Sequence, residues 1–111
     1  PLMNTCPNTD EKTLAIRVPG DLISTRAEEM RAEVARALDA QRDGASPWNV
    51  LRLDLTSAKM VDSVGLNLIV VLLKAAQKVG ARMVIDYASP NVYRTLVFTR
   101  LDKHVELVKA G

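Results

Sequence analysis

The stretch from Asn49 to Asp86 most narrows what this chain can fold into. "NVLRLDL" puts Leu51, Leu53 and Leu55 on one face of an extended segment, and Arg82 to Asp86 is a second β-rich run. Between them lie a loop, Thr56 to Val61, and an apolar helix from about Ser63 to Val79. That helix stops at Gly80, a residue suited to a left-handed helix end. Two strands of one sheet joined by a helix run parallel, because a crossover returns the chain to the edge where it began. The stretch therefore demands an α/β domain.

Its flanks repeat the pattern. Thr13 to Val18 alternates, is β-branched, and ends at Pro19-Gly20, which predicts a strand. Ser24 to Arg42 reads as a helix whose apolar stripe is Ala27, Met30, Val34, Ala37 and Leu38, with Ser24 or Thr25 as its cap and a charged solvated face opposite. Asp43 to Pro47 breaks it. A third helix begins at Ser89-Pro90, carries Val92, Leu96 and Val97, and turns at Thr99-Arg100. His104 to Val108 is a last short strand. The expectation is one domain over residues 13–108, a mixed and mostly parallel sheet flanked by helices. Residues 1–12 form an N-terminal segment in which Leu2 to Thr5 is expected as an edge strand, turning at Pro7 to Asp10.

The helix after Ser63 is more apolar than one buried face requires. Leu66, Ile69, Val70, Leu73 and Ala76 would cover the sheet, yet Val64, Leu68, Val71, Leu72, Ala75 and Val79 are apolar too. Two readings stay open: burial beneath neighbouring helices, or an exposed patch for a protein partner.

Several functions are excluded by what the residues lack. The formal charge is +2, with no two adjacent Lys or Arg residues, so the concentrated basic patch of a nucleic-acid binder is missing. With Cys6 as the single cysteine, no internal disulfide can form and no Cys-based metal site is expected. The longest apolar run, Leu68 to Leu73, is too short to cross a bilayer, and no signal peptide is recognisable. A soluble cytoplasmic protein is expected, without membrane insertion or direct nucleic-acid contact.

"MVDSVGLN", Met60 to Asn67, concentrates the chemistry. A hydrolase elbow needs glycine two residues before its serine, and Val61 stands there. The single histidine, His104, is far along the chain from Ser63, so a nucleophile–base pair has no support. Neither glycine-rich phosphate loop occurs. Asp54, Asp62 and Asp86 invite comparison with a phosphate-accepting receiver domain, but the paired acids expected after its first strand are absent. Asp62 or Ser63 caps the following helix.

"LRLDLTSAKMVDSVGLNLIVVLLKAAQKVGARMVI", with "VPGDLISTRAEEM" before it and "ASPNVYRTLVFTRLDKHVEL" after, resembles the STAS domain and, within it, the anti-sigma factor antagonists. The resemblance rests on D-S-x-G-L opening a helix after a strand ending in D-L, and it covers Thr13 to Leu107. It implies phosphorylation at Ser63 by an anti-sigma factor with serine-kinase activity, reset by a PP2C-type phosphatase. It further implies a partner-binding surface at Asp62, Ser63, Val64, Gly65, Asn67 and Leu68. No enzymatic activity and no cofactor are implied, and homodimerisation is left open. The alternatives are the STAS subunit of a lipid-transporting ABC system and a stress-signalling scaffold component. The chain departs from the antagonists at Ile23, where they usually carry an acid, and at Arg100, where they commonly carry glycine.

Overall fold

The computed structural model describes residues 13–42 and 48–110, with the backbone alone at 33 and 37–42. In chain order these form β1 (Thr13–Arg17), α1 (Ser24–Arg42), β2 (Val50–Leu55), α2 (Ser63–Lys78), β3 (Arg82–Tyr87), α3 (Pro90–Phe98) and β4 (Glu106–Lys109). The described strands lie in the order β1-β2-β3-β4 and every neighbouring pair is parallel. The edge strand expected at Leu2 to Thr5 lies outside the described residues.

The sheet register separates two chemistries. Leu51 is opposite Met83 and Leu53 opposite Ile85, and all four side chains are buried in the main core. Ala27, Met30 and Val34 of α1, Ile69 and Leu72 of α2, and Val92 and Leu96 of α3 close over the same core. The alternate positions point the other way. There Arg52 grips Asp86 with two hydrogen bonds, at 2.7 and 2.6 Å, and Arg82 pairs with Glu106 at 3.1 Å. Asp86 holds the Arg52 guanidinium pKa above its ordinary value, through the hydrogen bond first and its charge second.

The apolar stripe of α2 differs from the one read in the sequence. The buried residues are Gly65, Leu68, Ile69, Leu72, Leu73 and Ala76, whereas Leu66 and Val70 are half-buried. The helix is rolled because Gly65 lies against the chain at Leu22. A Cβ on Gly65 would run into the Leu22 carbonyl oxygen and come within 2.9 Å of Leu22 Cγ. Gly65 thus fixes the inward side of the first turn. Leu68, one turn on, goes under α1 beside Val34 instead of facing solvent. Some of the surplus apolar side chains are core, while Val71 and Val79 remain exposed.

Smaller differences occur at the end of the chain. Arg100 takes a left-handed backbone, φ 64 and ψ 18, and the chain then makes a 3-10 turn over Leu101–Lys103 that the strand pattern did not predict. Buried Leu101 and Val105 pin that turn to the core, so β4 begins at Glu106 instead of His104. Of the three apolar residues noted in α3, Val92 and Leu96 are buried and Val97 is 37% exposed.

Candidate functional site

The turn after β1 and the turn after β2 meet at the same end of the sheet. Leu22 and Val61 form a short parallel bridge: the Leu22 N–H donates to the Met60 carbonyl (3.1 Å), and the Asp62 N–H donates to the Leu22 carbonyl (3.2 Å). The bridge sets the first residues of α1 and α2 side by side. Asp21 Oδ1 accepts the Lys59 N–H at 2.7 Å and ties the two turns together again. Ser89 Oγ donates to the Lys59 carbonyl at 3.3 Å, which joins the start of α3 to the same loop.

Asp62 joins the two helices. Its Oδ1 accepts the Gly65 N–H of α2 at 2.9 Å, and its Oδ2 accepts the Ser24 N–H of α1 at 2.9 Å. One carboxylate thus answers free amides at two positive helix ends. Ser24 is therefore the first residue of its helix, with its own amide bound by Asp62. Ser63 is relieved of capping. It is exposed, at the first position of α2, and its hydroxyl makes no hydrogen bond among the described residues. The Asp62 N–H is taken by Leu22 and the Gly65 N–H by Asp62, while Leu66 N–H begins the helix ladder. Among the described residues the amides of Ser63 and Val64 donate no further hydrogen bond, as first-turn helix amides commonly do not.

The other expected contact residues divide by accessibility. Asn67 is exposed and Val64 half-buried. Gly65 is buried and shapes the backbone. Leu68 is 5% exposed, so it cannot carry a docking surface as expected; it is a core residue. The sequence reading missed three accessible apolar neighbours: Met60 before Asp62, the outward side of Leu66, and Phe98 at the end of α3. Phe98 falls two residues beyond Leu96 and hence off the α3 core stripe, which was the available signal.

No serine nucleophile is assembled here. His104 shares a shallow cleft with Lys74, Gln77 and Arg100. Lys74 lies eleven residues beyond Ser63, about 16 Å along the helix at 1.5 Å per residue. Among the described residues, no helix is long and apolar enough to cross a membrane, and no cluster of His, Cys, Asp and Glu has metal-binding geometry.

The STAS domain family model matches residues 7–110, and the chain belongs to that family. Its solved relatives in structure are distant in sequence. A candidate anti-sigma factor antagonist from Thermotoga maritima superposes with a TM-score of 0.74 at 23% identity, over 89% of this chain and 80% of that one. The anti-sigma factor antagonist SpoIIAA in its unphosphorylated form gives 0.71 at 21% identity, over 91% and 82%. A sulfate transporter family protein from Wolinella succinogenes gives 0.69 at 14% identity, over 86% and 75%. These likenesses establish the fold.

Proposed function

We propose that this chain is a phosphorylation-controlled anti-sigma factor antagonist working in the cytoplasm. Unphosphorylated, it binds an anti-sigma factor that is also a serine kinase and so frees a sigma factor. Phosphorylated at Ser63, it lets go, and a PP2C-type phosphatase resets it. The chain is substrate and switch, with no catalysis of its own. One observation carries the reading: Ser63 is exposed at the first position of α2 and its hydroxyl is unbonded among the described residues, because the neighbouring Asp62 does the capping. SpoIIAA, which shares the fold, has been solved both unphosphorylated and phosphorylated.

The physics of the switch separates folding from docking. Phosphate adds about −1.5 to −2 charges at Ser63. Within the domain the positive N-terminal end of α2 favours that charge and the Asp62 carboxylate opposes it, so the fold is retained. On docking, the dianion must shed water against the partner, at a cost of several kcal/mol where it stays unpaired. The accessible contact set is Asp62, Ser63, Val64 and Asn67, backed by Gly65 and Leu68.

A second reading is supported by the transporter-family structure with the same fold. There the domain would be a transporter's STAS module, as in the STAS subunit of a lipid-transporting ABC system, and would need no phosphorylation. The deciding experiment incubates the chain with the purified anti-sigma kinase and ATP and measures intact mass. One added phosphate, absent in Ser63→Ala, is the expected result. A kinase active on itself that leaves wild-type chain unmodified would favour the transporter reading.

A further inference from the structure

The cleft that holds Lys74 and His104 lies between the second half of α2 and the turn after α3, with a volume of about 350 Å³. That suits a small molecule, since ligand sites span about 300–1,000 Å³. Val70, Leu73 and Leu101 supply its apolar lining, and Leu73 and Leu101 are buried. Lys74, Arg100 and His104 also line it, and no Asp or Glu does. The closest acid in sequence, Asp102, lies outside the lining, and its Oδ1 is buried. Among the described residues, no side-chain hydrogen bond or ion pair engages Lys74, Arg100 or His104.

Arg100 stands out for its backbone as well. Among the described residues it is the one non-glycine with a positive φ, 64, where its own Cβ crowds the carbonyl. Glycine would remove the crowding, and strain of this kind collects where a side chain is used. Hydrogen bonds hold the residue in place. Its amide donates to the Val97 carbonyl at 3.0 Å, and its carbonyl accepts the Lys103 amide at 3.2 Å. A cation just past a helix also answers the negative end of the helix dipole. That role can be filled from within the last turn of α3, without a left-handed residue.

We infer that this cleft binds a phosphate monoester carried on an apolar body. Two fixed positive charges, Arg100 and Lys74, match a phosphate dianion better than a singly charged carboxylate or sulfonate. The planar guanidinium can offer paired N–H donors to two phosphate oxygens, and the ammonium adds a point charge. The imidazole of His104 adds a further donor, and the apolar lining receives the body of the ligand. The inference goes beyond the switch proposed above and does not rest on it, because Lys74 lies about 16 Å along α2 from Ser63.

The test titrates the full chain with phenyl phosphate, inorganic phosphate and benzenesulfonate, followed by amide chemical shifts in NMR. Phenyl phosphate is expected to saturate, with shifts centred on Lys74, Arg100 and His104. It should bind at least tenfold more tightly than benzenesulfonate, and more tightly than inorganic phosphate. Arg100→Gly and, separately, Lys74→Ala should each weaken it at least tenfold. Arg100→Gly should do so with its melting temperature unchanged or raised, which separates lost binding from lost folding. Arg94→Ala, a cation outside the cleft, should bind as wild type does. Vesicles of phosphatidylcholine with and without phosphatidic acid distinguish the source of the phosphate. Binding that needs phosphatidic acid and Arg100 supports the inference with a lipid headgroup as ligand; phenyl phosphate binding without it supports a soluble one. No saturable binding of phenyl phosphate, equal binding of benzenesulfonate, or indifference to Arg100→Gly overturns the inference. Because no kinase or ATP is present, none of these results bears on whether Ser63 is phosphorylated.

Discussion

Arg100 holds a left-handed backbone, φ 64, where an L side chain crowds its own carbonyl at a cost of about 1–2 kcal/mol. Glycine removes that crowding but adds about 0.5–1 kcal/mol of backbone entropy to the unfolded chain. Arg100→Gly is therefore expected to stabilise the domain by roughly 0.5–1 kcal/mol in urea unfolding, while Arg100→Ala, which keeps its Cβ, gains nothing. A loss of stability in Arg100→Gly would mean that the guanidinium does something in the fold beyond occupying the turn. Asp54 is tuned in the opposite sense. Thr56 donates its hydroxyl at 2.6 Å and its amide at 2.9 Å to one Asp54 oxygen, and these bonds hold the carboxyl pKa below its ordinary value. A depressed folded-state pKa contributes stability that is complete above the unfolded value, about 3.9, and is lost as pH falls through the lower folded value. Asp54→Asn should thus flatten the fall of stability below about pH 4, measured by urea unfolding across that range; an unchanged slope would show that the Thr56 bonds do not discriminate the charge. Both residues drew notice in the sequence, Arg100 as a non-glycine at a glycine-like turn and Asp54 as one of three aspartates at strand ends or loops. The glycine of the resembled family at that place already pointed to the left-handed backbone of Arg100, whereas the Thr56 partners of Asp54 were not legible, since they depend on where the chain goes next. The same holds for Asp62 and Ser63. Either residue fitted the cap by sequence, and the Gly65 amide bound to Asp62 Oδ1 assigns the task to Asp62 and frees the serine.

At the scale of the element, α2 is the instructive case. Its limits were readable from the Asp-Ser start and the Gly80 stop, and Gly80 does adopt φ 72. Its rotation was not. Apolar residues surround the helix, so periodicity offers two stripes of comparable quality and only a tertiary contact selects one. That contact is Gly65 against Leu22. Gly65→Ala is expected to cost about 1–3 kcal/mol, because the added methyl meets a backbone oxygen that cannot rotate away. Chemical denaturation measures it, and a cost below about 0.5 kcal/mol would remove Gly65 as the determinant of helix rotation. The rolled helix also reverses what Leu68 can report. Leu68→Glu buries a charge in the α1–α2 seam and should unfold the domain, so it cannot serve as a docking mutant. Probes of docking belong at Asn67 and Met60, which are exposed.

For the whole molecule, strand–helix alternation was enough to predict the parallel sheet, because each connection between neighbouring strands is long enough to hold a helix and too long for a hairpin. What it could not show was the bridge between Leu22 and Val61 that brings two helix starts to one place. Residues thirty-eight positions apart, Ser24 and Asp62, become a single site only through that bridge. From it follows the central claim, that Ser63 stands where a phosphate is tolerated by the fold and obstructive to a partner. Titrating Ser63→Ala and Ser63→Asp against the purified anti-sigma kinase, with ATP absent, tests this most directly. Both variants should melt as wild type does. Ser63→Ala should bind as tightly as the unmodified chain, and Ser63→Asp at least tenfold more weakly, a difference of about 1.4 kcal/mol or more. Equal affinity of the two folded variants would contradict the account.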